Sequence, residues 1–205
     1  MASVKFPDVY SGASRVIESL KAGKMDGLPL GITVHHLADR NIDASVASLR
    51  AEKLGYHAII DRDGEFIQCC NFTDRVNHAG KATWCGVSPN RRHIAVAFSS
   101  WGEVNKNDND DGFGYKSWSG AKVNLFEVAQ RKGNLDNIWR NWDAATIEQE
   151  HTLIKFLRWC IAFGVDPKNI CGHDECAIPF GRKNDPGGVL SISMLQLRAV
   201  LSMKD

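Results

Sequence analysis

The chain has 205 residues, with 25 basic and 24 acidic side chains and a formal net charge of +1. That length fits one domain with a proper core, and the near-neutral balance argues against a polyanion partner such as nucleic acid. No apolar run approaches the roughly 18 residues needed for a helix to span a bilayer.

The N-terminal MASVKFPDVYSGASRVIESL has no charged start followed by an apolar core of signal-peptide length, so the product is expected to be made as a soluble cytoplasmic protein. SRVIESLKAG reads as a short amphipathic helix, with Val16, Ile17 and Leu20 on one face and Gly23 as its stop. LPLGITVHHLA reads as a β-branched strand, and NIDASVASLRAEKLGY as a helix on Val46, Leu49 and Lys53, ended by Gly55. GYHAIIDRDGEFIQCC is a strand, an Arg-Asp-Gly turn and a second strand. RRHIAVAFSS is a further strand, with Ile94, Val96 and Phe98 on one face and the small Ala95, Ala97 and Ser99 on the other.

NKNDNDDGFGYKSWSG is a polar, Gly-rich surface loop; its acidic spacing fails the calcium-loop pattern and no Glu closes it. ATIEQEHTLIKFLRWCIAFG is the clearest helix, with a Thr146/Gln149 capping box, a stripe of Ile147, His151, Ile154, Leu157 and Ile161, and Gly164 at its end. Ser193 and Gln196 start a terminal helix through Leu201. Strands alternating with helices over residues 1–205 predict one α/β domain, a central mixed sheet flanked by helices.

Seven histidines are available for chemistry. His151 is expected to pack on the helix stripe and His93 to lie at a surface or sheet edge. His35 and His36 end a strand, and alternation sends their rings to opposite faces, so at most one enters a site. CGHDECAIPFGRKNDPGG places His173 and Asp185 twelve residues apart, with Lys183 two residues before the Asp and a Pro-Gly-Gly turn after it. Two imidazoles and a carboxylate suit a hydrolytic zinc, which takes three protein ligands and keeps one position for water of pKa near 7. Lys183 would then stabilise the oxyanion formed at a carbonyl. Six cysteines show no C-x-x-C spacing; most are expected to be buried, with Cys171 and Cys176 kept as ligand candidates beside His173. His173-Asp174-Glu175 mimics the deaminase H-x-E, but the P-C-x-x-C is missing, and no G-x-S-x-G is present.

Taken in order, ITVHHLA, GYHAIIDRDGEFIQ, HAGKATW, NRRHIAVAF and GHDECAIPFGRKNDPGG resemble the zinc-dependent N-acetylmuramoyl-L-alanine amidases, a family that includes bacterial amidases, phage lysozyme-amidases and animal peptidoglycan-recognition proteins. The similarity runs from about Gly31 to Gly188. It implies zinc held by His35, His173 and Asp185, with Lys183 in catalysis. Many bacterial members place a Glu on the central strand; here Ala97 stands in its place, and Glu103 is a poor substitute. The resemblance to phage members implies that Tyr56 assists instead, and that His78, Lys81 and Trp84 line the substrate groove, with Asn90 placing the strand start. Some phage members use Cys as third ligand, at the position that Asp185 matches, so Asp185 is kept over Cys176. The implied partner is peptidoglycan, cut between N-acetylmuramic acid and L-alanine by a monomeric endolysin released from the host cytoplasm by a holin. The alternatives are a recycling or effector amidase and a recognition protein that binds without cutting.

Overall fold

The computed structural model describes residues 5–17, 20–107 and 114–203. A six-stranded mixed sheet is built from β1 (Arg15–Val16), β2 (Gly31–His36), β3 (Ala58–Ile60), β4 (Phe66–Gln68), β5 (His93–Phe98) and β6 (Ile170–Gly172). Its order is β1-β4-β3-β5-β2-β6; only the β3–β4 hairpin is antiparallel. Three helices flank it: α1 (Ile42–Ala51), α2 (Ile147–Ala162) and α3 (Met194–Ser202).

Strand alternation sorts the side chains onto two faces. Ile32, Val34, Ala58, Ile60, Ile94 and Val96 form the main core with Leu153, Phe156 and Leu157 of α2 and Leu197 and Leu201 of α3. The other face carries Thr33, His35, Ala95 and Ala97 in register. There α1 covers only the Ile59–Ile67 side, through Ile42 and Val46. Over β5, Ala95 packs with Cys70, Val76 and Tyr56, and the candidate site lies beside them at His35.

Local chemistry sets the helix starts, while α1 stops at Ala51, short of the expected end at Gly55. The Asn41 side chain caps α1 by accepting from the Ala44 N–H, and capping boxes at Thr146/Gln149 and Ser193/Gln196 start α2 and α3. The turn of the β3–β4 hairpin uses Gly64 at φ +84°.

Three further expectations are corrected. The segment at Arg15–Val16 is a strand, not a helix, because it pairs in parallel with Ile67–Gln68 at the open edge of β4; sheet pairing overrides helical patterning. Residues 18–19 of the predicted helix lie outside those described. Helix α2 is rotated from the predicted stripe: its buried residues are Gln149, Leu153, Phe156, Leu157 and Cys160, while Ile147 and His151 are exposed. Gln149 misleads the pattern because it is a buried polar residue, donating from Nε2 to the Ile60 and Ser99 carbonyls. His93 is fully buried rather than at a surface, with Nδ1 3.0 Å from Thr33 Oγ1, and burial pushes its pKa down to about 4.

The polar loop after Asn105 contains residues 108–113, which are outside those described, so the calcium-loop question falls largely there. Past it, an unpredicted antiparallel hairpin, Val128–Lys132 with Trp139–Asp143, brings the fully buried Trp142 under the closing segment. All six cysteines are free, five buried and Cys85 exposed.

Candidate metal centre

His35 comes from the penultimate position of β2, His173 from the residue after β6, and Asp185 from the loop that returns past them. β2 and β6 are neighbours, so the two histidines are brought together by sheet pairing. Asp185 arrives differently. The Asp174 N–H donates to the Asp185 carbonyl at 2.7 Å. The Pro-Gly-Gly turn then lies flat on Trp142: a Cβ on Gly187, at φ +53°, would come within 2.3 Å of that ring. The helical turn His173–Cys176 is tied down by Glu175, which accepts from the Gly172 N–H and pairs with both guanidinium nitrogens of Arg198 at 2.7 and 2.9 Å.

Both histidines present Nδ1 to one carboxylate oxygen. His35 Nδ1 is 2.8 Å and His173 Nδ1 3.0 Å from Asp185 Oδ2. The three donor atoms lie within 4.8 Å of one another, and all three residues are buried. Burial opposes ionisation of Asp185, but hydrogen bonds to His173 and His35 and their field hold the carboxyl well below the usual carboxylate range. Burial pushes His35 down to about 4 against the pull of Asp185, so its imidazole is neutral near pH 7. Two imidazoles and one carboxylate, converging and buried, are the donor chemistry a catalytic zinc takes. The residues present fit that ion.

The other predicted residues divide. Tyr56 is at the site, its ring centroid 4.9 Å from that of His35; burial raises its phenol pKa, with Asp185 adding to the effect. Lys183 is exposed on the closing loop. His78 is buried behind His35, Nδ1 to Nε2 at 3.0 Å. Lys81 is exposed, its carbonyl accepting from the Ile178 N–H and from Arg182. The Trp84 indole N–H donates to the Lys168 carbonyl and Arg198 lies over its ring. His36 points elsewhere, its ring against Gly102, where a Cβ would be 2.3 Å away. Cys176 Sγ faces the His173 carbonyl and Cys171 Sγ the Thr33 hydroxyl, outside the donor set. Glu103 pairs with Arg140 and accepts from Asn184. Ala97 is the register partner of His35.

Sequence reasoning missed two supports. His57 is fully buried and satisfied on both sides, accepting from the Ala95 N–H at Nδ1 and donating from Nε2 to the Asp74 carbonyl, which fixes its neighbour Tyr56. Arg182 donates to the Ala79, Lys81 and Ile178 carbonyls and so fastens the closing loop. Beside Tyr56 lies a cavity of about 300 Å³ lined by Leu37, Ser45, Leu49, Trp101 and Trp118.

The family model for N-acetylmuramoyl-L-alanine amidase matches residues 25–188. No curated protein matches the sequence. Among solved structures, AmpD is 18% identical, covering 97% of this chain and 98% of its own, at a TM-score of 0.57. AmiD from E. coli, solved with the substrate anhydro-N-acetylmuramic acid-L-Ala-D-gamma-Glu-L-Lys, is 20% identical over 88% of this chain and 60% of its own, at a TM-score of 0.58. The endolysin LysCS from Clostridium intestinale is 15% identical over 95% of this chain and 100% of its own, at a TM-score of 0.53. At these identities the likeness is one of fold. With the family model spanning most of its length, the chain belongs to the N-acetylmuramoyl-L-alanine amidase family.

Proposed function

We propose that the protein is a zinc-dependent amidase that hydrolyses the bond between N-acetylmuramic acid and L-alanine in peptidoglycan, working as a single domain. The observation that carries this reading is the convergence of His35 Nδ1, His173 Nδ1 and Asp185 Oδ2. A zinc ion held there supplies an acidified water and a Lewis acid for the scissile carbonyl. The chain's own groups do the rest. Tyr56, kept protonated by burial, donates a hydrogen bond to the oxygen that becomes negative in the tetrahedral transition state. Lys183, two residues from Asp185, places an ammonium beside the same charge and helps move the proton to the leaving amine. Ala97 has no proton to give or take, which leaves these two groups to act where a strand carboxylate is absent. The cavity beside Tyr56 and the exposed Lys81 offer room for glycan and stem peptide.

For biological setting we favour a phage endolysin. LysCS, of like fold, bears that description. The test is to incubate the protein with peptidoglycan sacculi, with chelator and after zinc is restored, and to identify the released ends. New N-terminal L-alanine appearing only with metal supports the reading. Binding to sacculi with no new ends, whatever the metal, would make this a recognition protein.

A further inference from the structure

The outer nitrogens of both histidines in the donor set end on two consecutive residues of one loop. His35 Nε2 is 3.0 Å from His78 Nδ1, and His173 Nε2 is 3.1 Å from the Ala79 carbonyl. That loop is gripped from behind by one side chain. Asn90 Oδ1 accepts from the His78 and Ala79 N–H groups, both at 2.9 Å, and Asn90 Nδ2 donates to the Gly80 carbonyl at 2.8 Å. Asn90 sits on the single helical turn Pro89–Arg92 that leads into β5, so the loop is referenced to the central strand of the sheet.

Proton placement follows from these contacts. A histidine that offers the Nδ1 lone pair to a cation must carry its proton on Nε2. His173 then donates to the Ala79 carbonyl, and His35 donates to His78 Nδ1. His78 in turn carries its proton on Nε2, beside the Pro89 carbonyl though outside hydrogen-bond geometry. The protons on His35 and His173 each face an acceptor, and no alternative placement leaves both Nδ1 atoms free while satisfying the buried His35 Nε2.

We propose that the His78–Gly80 loop, clamped by Asn90, is the outer shell of the metal centre, and that His78 and Asn90 are positioning residues that hold both imidazoles with Nδ1 toward the ion. This rests on the zinc reading given above. Partners of this kind change metal affinity by about 10–100-fold when removed. A substrate-contacting His78 would alter KM and leave zinc affinity alone.

The test is zinc affinity measured by competition with a chromophoric chelator, together with the d–d spectrum of the cobalt-loaded protein and the melting temperature of the metal-free form. His78→Leu removes the acceptor and is expected to weaken zinc about 10–100-fold and to shift the cobalt bands. His78→Asn keeps an acceptor near the Nδ1 position and is expected to stay within about threefold of wild type. Asn90→Ala, which releases the loop without touching either histidine, is expected to weaken zinc about tenfold. Wild-type affinity in His78→Leu, or equal loss in His78→Leu and His78→Asn with both folded, overturns the proposal. If His78→Leu does not fold, unchanged affinity in Asn90→Ala overturns it instead. A wild-type protein that binds no zinc removes the metal reading and this inference together, whereas zinc-binding wild type with unaffected variants removes this inference alone.

Discussion

Ala97 lies directly across from His35 on the adjacent parallel strand, and the two side chains share one face of the sheet. A methyl group therefore stands where a carboxylate would be best placed to take a proton beside the ligand. Tyr56 approaches the same ring from the segment before β3. Replacing it with Phe removes the hydroxyl and little else. Tyr56→Phe is expected to lower kcat about 10²–10³-fold, the size seen when one oxyanion donor is lost, with zinc content unchanged by elemental analysis. Unaltered turnover would leave Tyr56 as a packing residue.

One Asp185 oxygen lies within hydrogen-bond distance of Nδ1 of both His35 and His173. Asp185→Ala and His173→Ala are each expected to abolish bound zinc and the release of L-alanine ends together. A zinc-free variant of either kind with full activity would sink the metal assignment.

Lys183 is exposed, and exposed substitutions away from special features change stability by about 0.5 kcal/mol or less. Lys183→Met should therefore melt like wild type and retain zinc while losing about 10²-fold or more in kcat. The comparison of kcat with melting temperature decides it: equal kcat argues for a solvated loop lysine.

His57 and His93 are both fully buried, and burial pushes each down to about 4 from its ordinary value of 6.5. Between those values the unfolded chain binds protons that the folded chain refuses, so their contribution is complete above pH 6.5 and is lost as pH falls toward 4. At pH 5 the loss is about 2 kcal/mol for each histidine. Urea unfolding of the metal-free protein at pH 7 and pH 5 measures it. His93→Gln should narrow the difference between the two pH values by about that amount; an unchanged difference would mean that His93 is protonated in the fold.

The donor set was legible because its residue types are out of place. Two histidines end an apolar strand, and a His, a Lys and an Asp precede a Pro-Gly-Gly turn, which little besides chemistry explains. The hairpin and two of the helix starts were readable for local reasons, since Gly64, Thr146 and Ser193 act on their own neighbours. What stayed hidden works at long range through the backbone. Arg182 and Asn90 act on main-chain groups of the loop that starts at His78, and a carbonyl or N–H carries no signature in the sequence. Strand β1 failed for a related reason, because the edge it covers lies some fifty residues away. Gln149 turned the reading of α2 by filling a core position with an amide.

The distance along the chain between His35 and Asp185 has a mechanical meaning. They are 150 residues apart, so an ion gripping both would be a cross-link that closes most of the polypeptide into a ring. In the logarithmic scaling of loop closure, a ring of that size corresponds to about 4 kcal/mol of chain entropy. A zinc ion held there would thus tie the first sheet strand of the site to the last loop, and would double as the fastening that resists unravelling from either end.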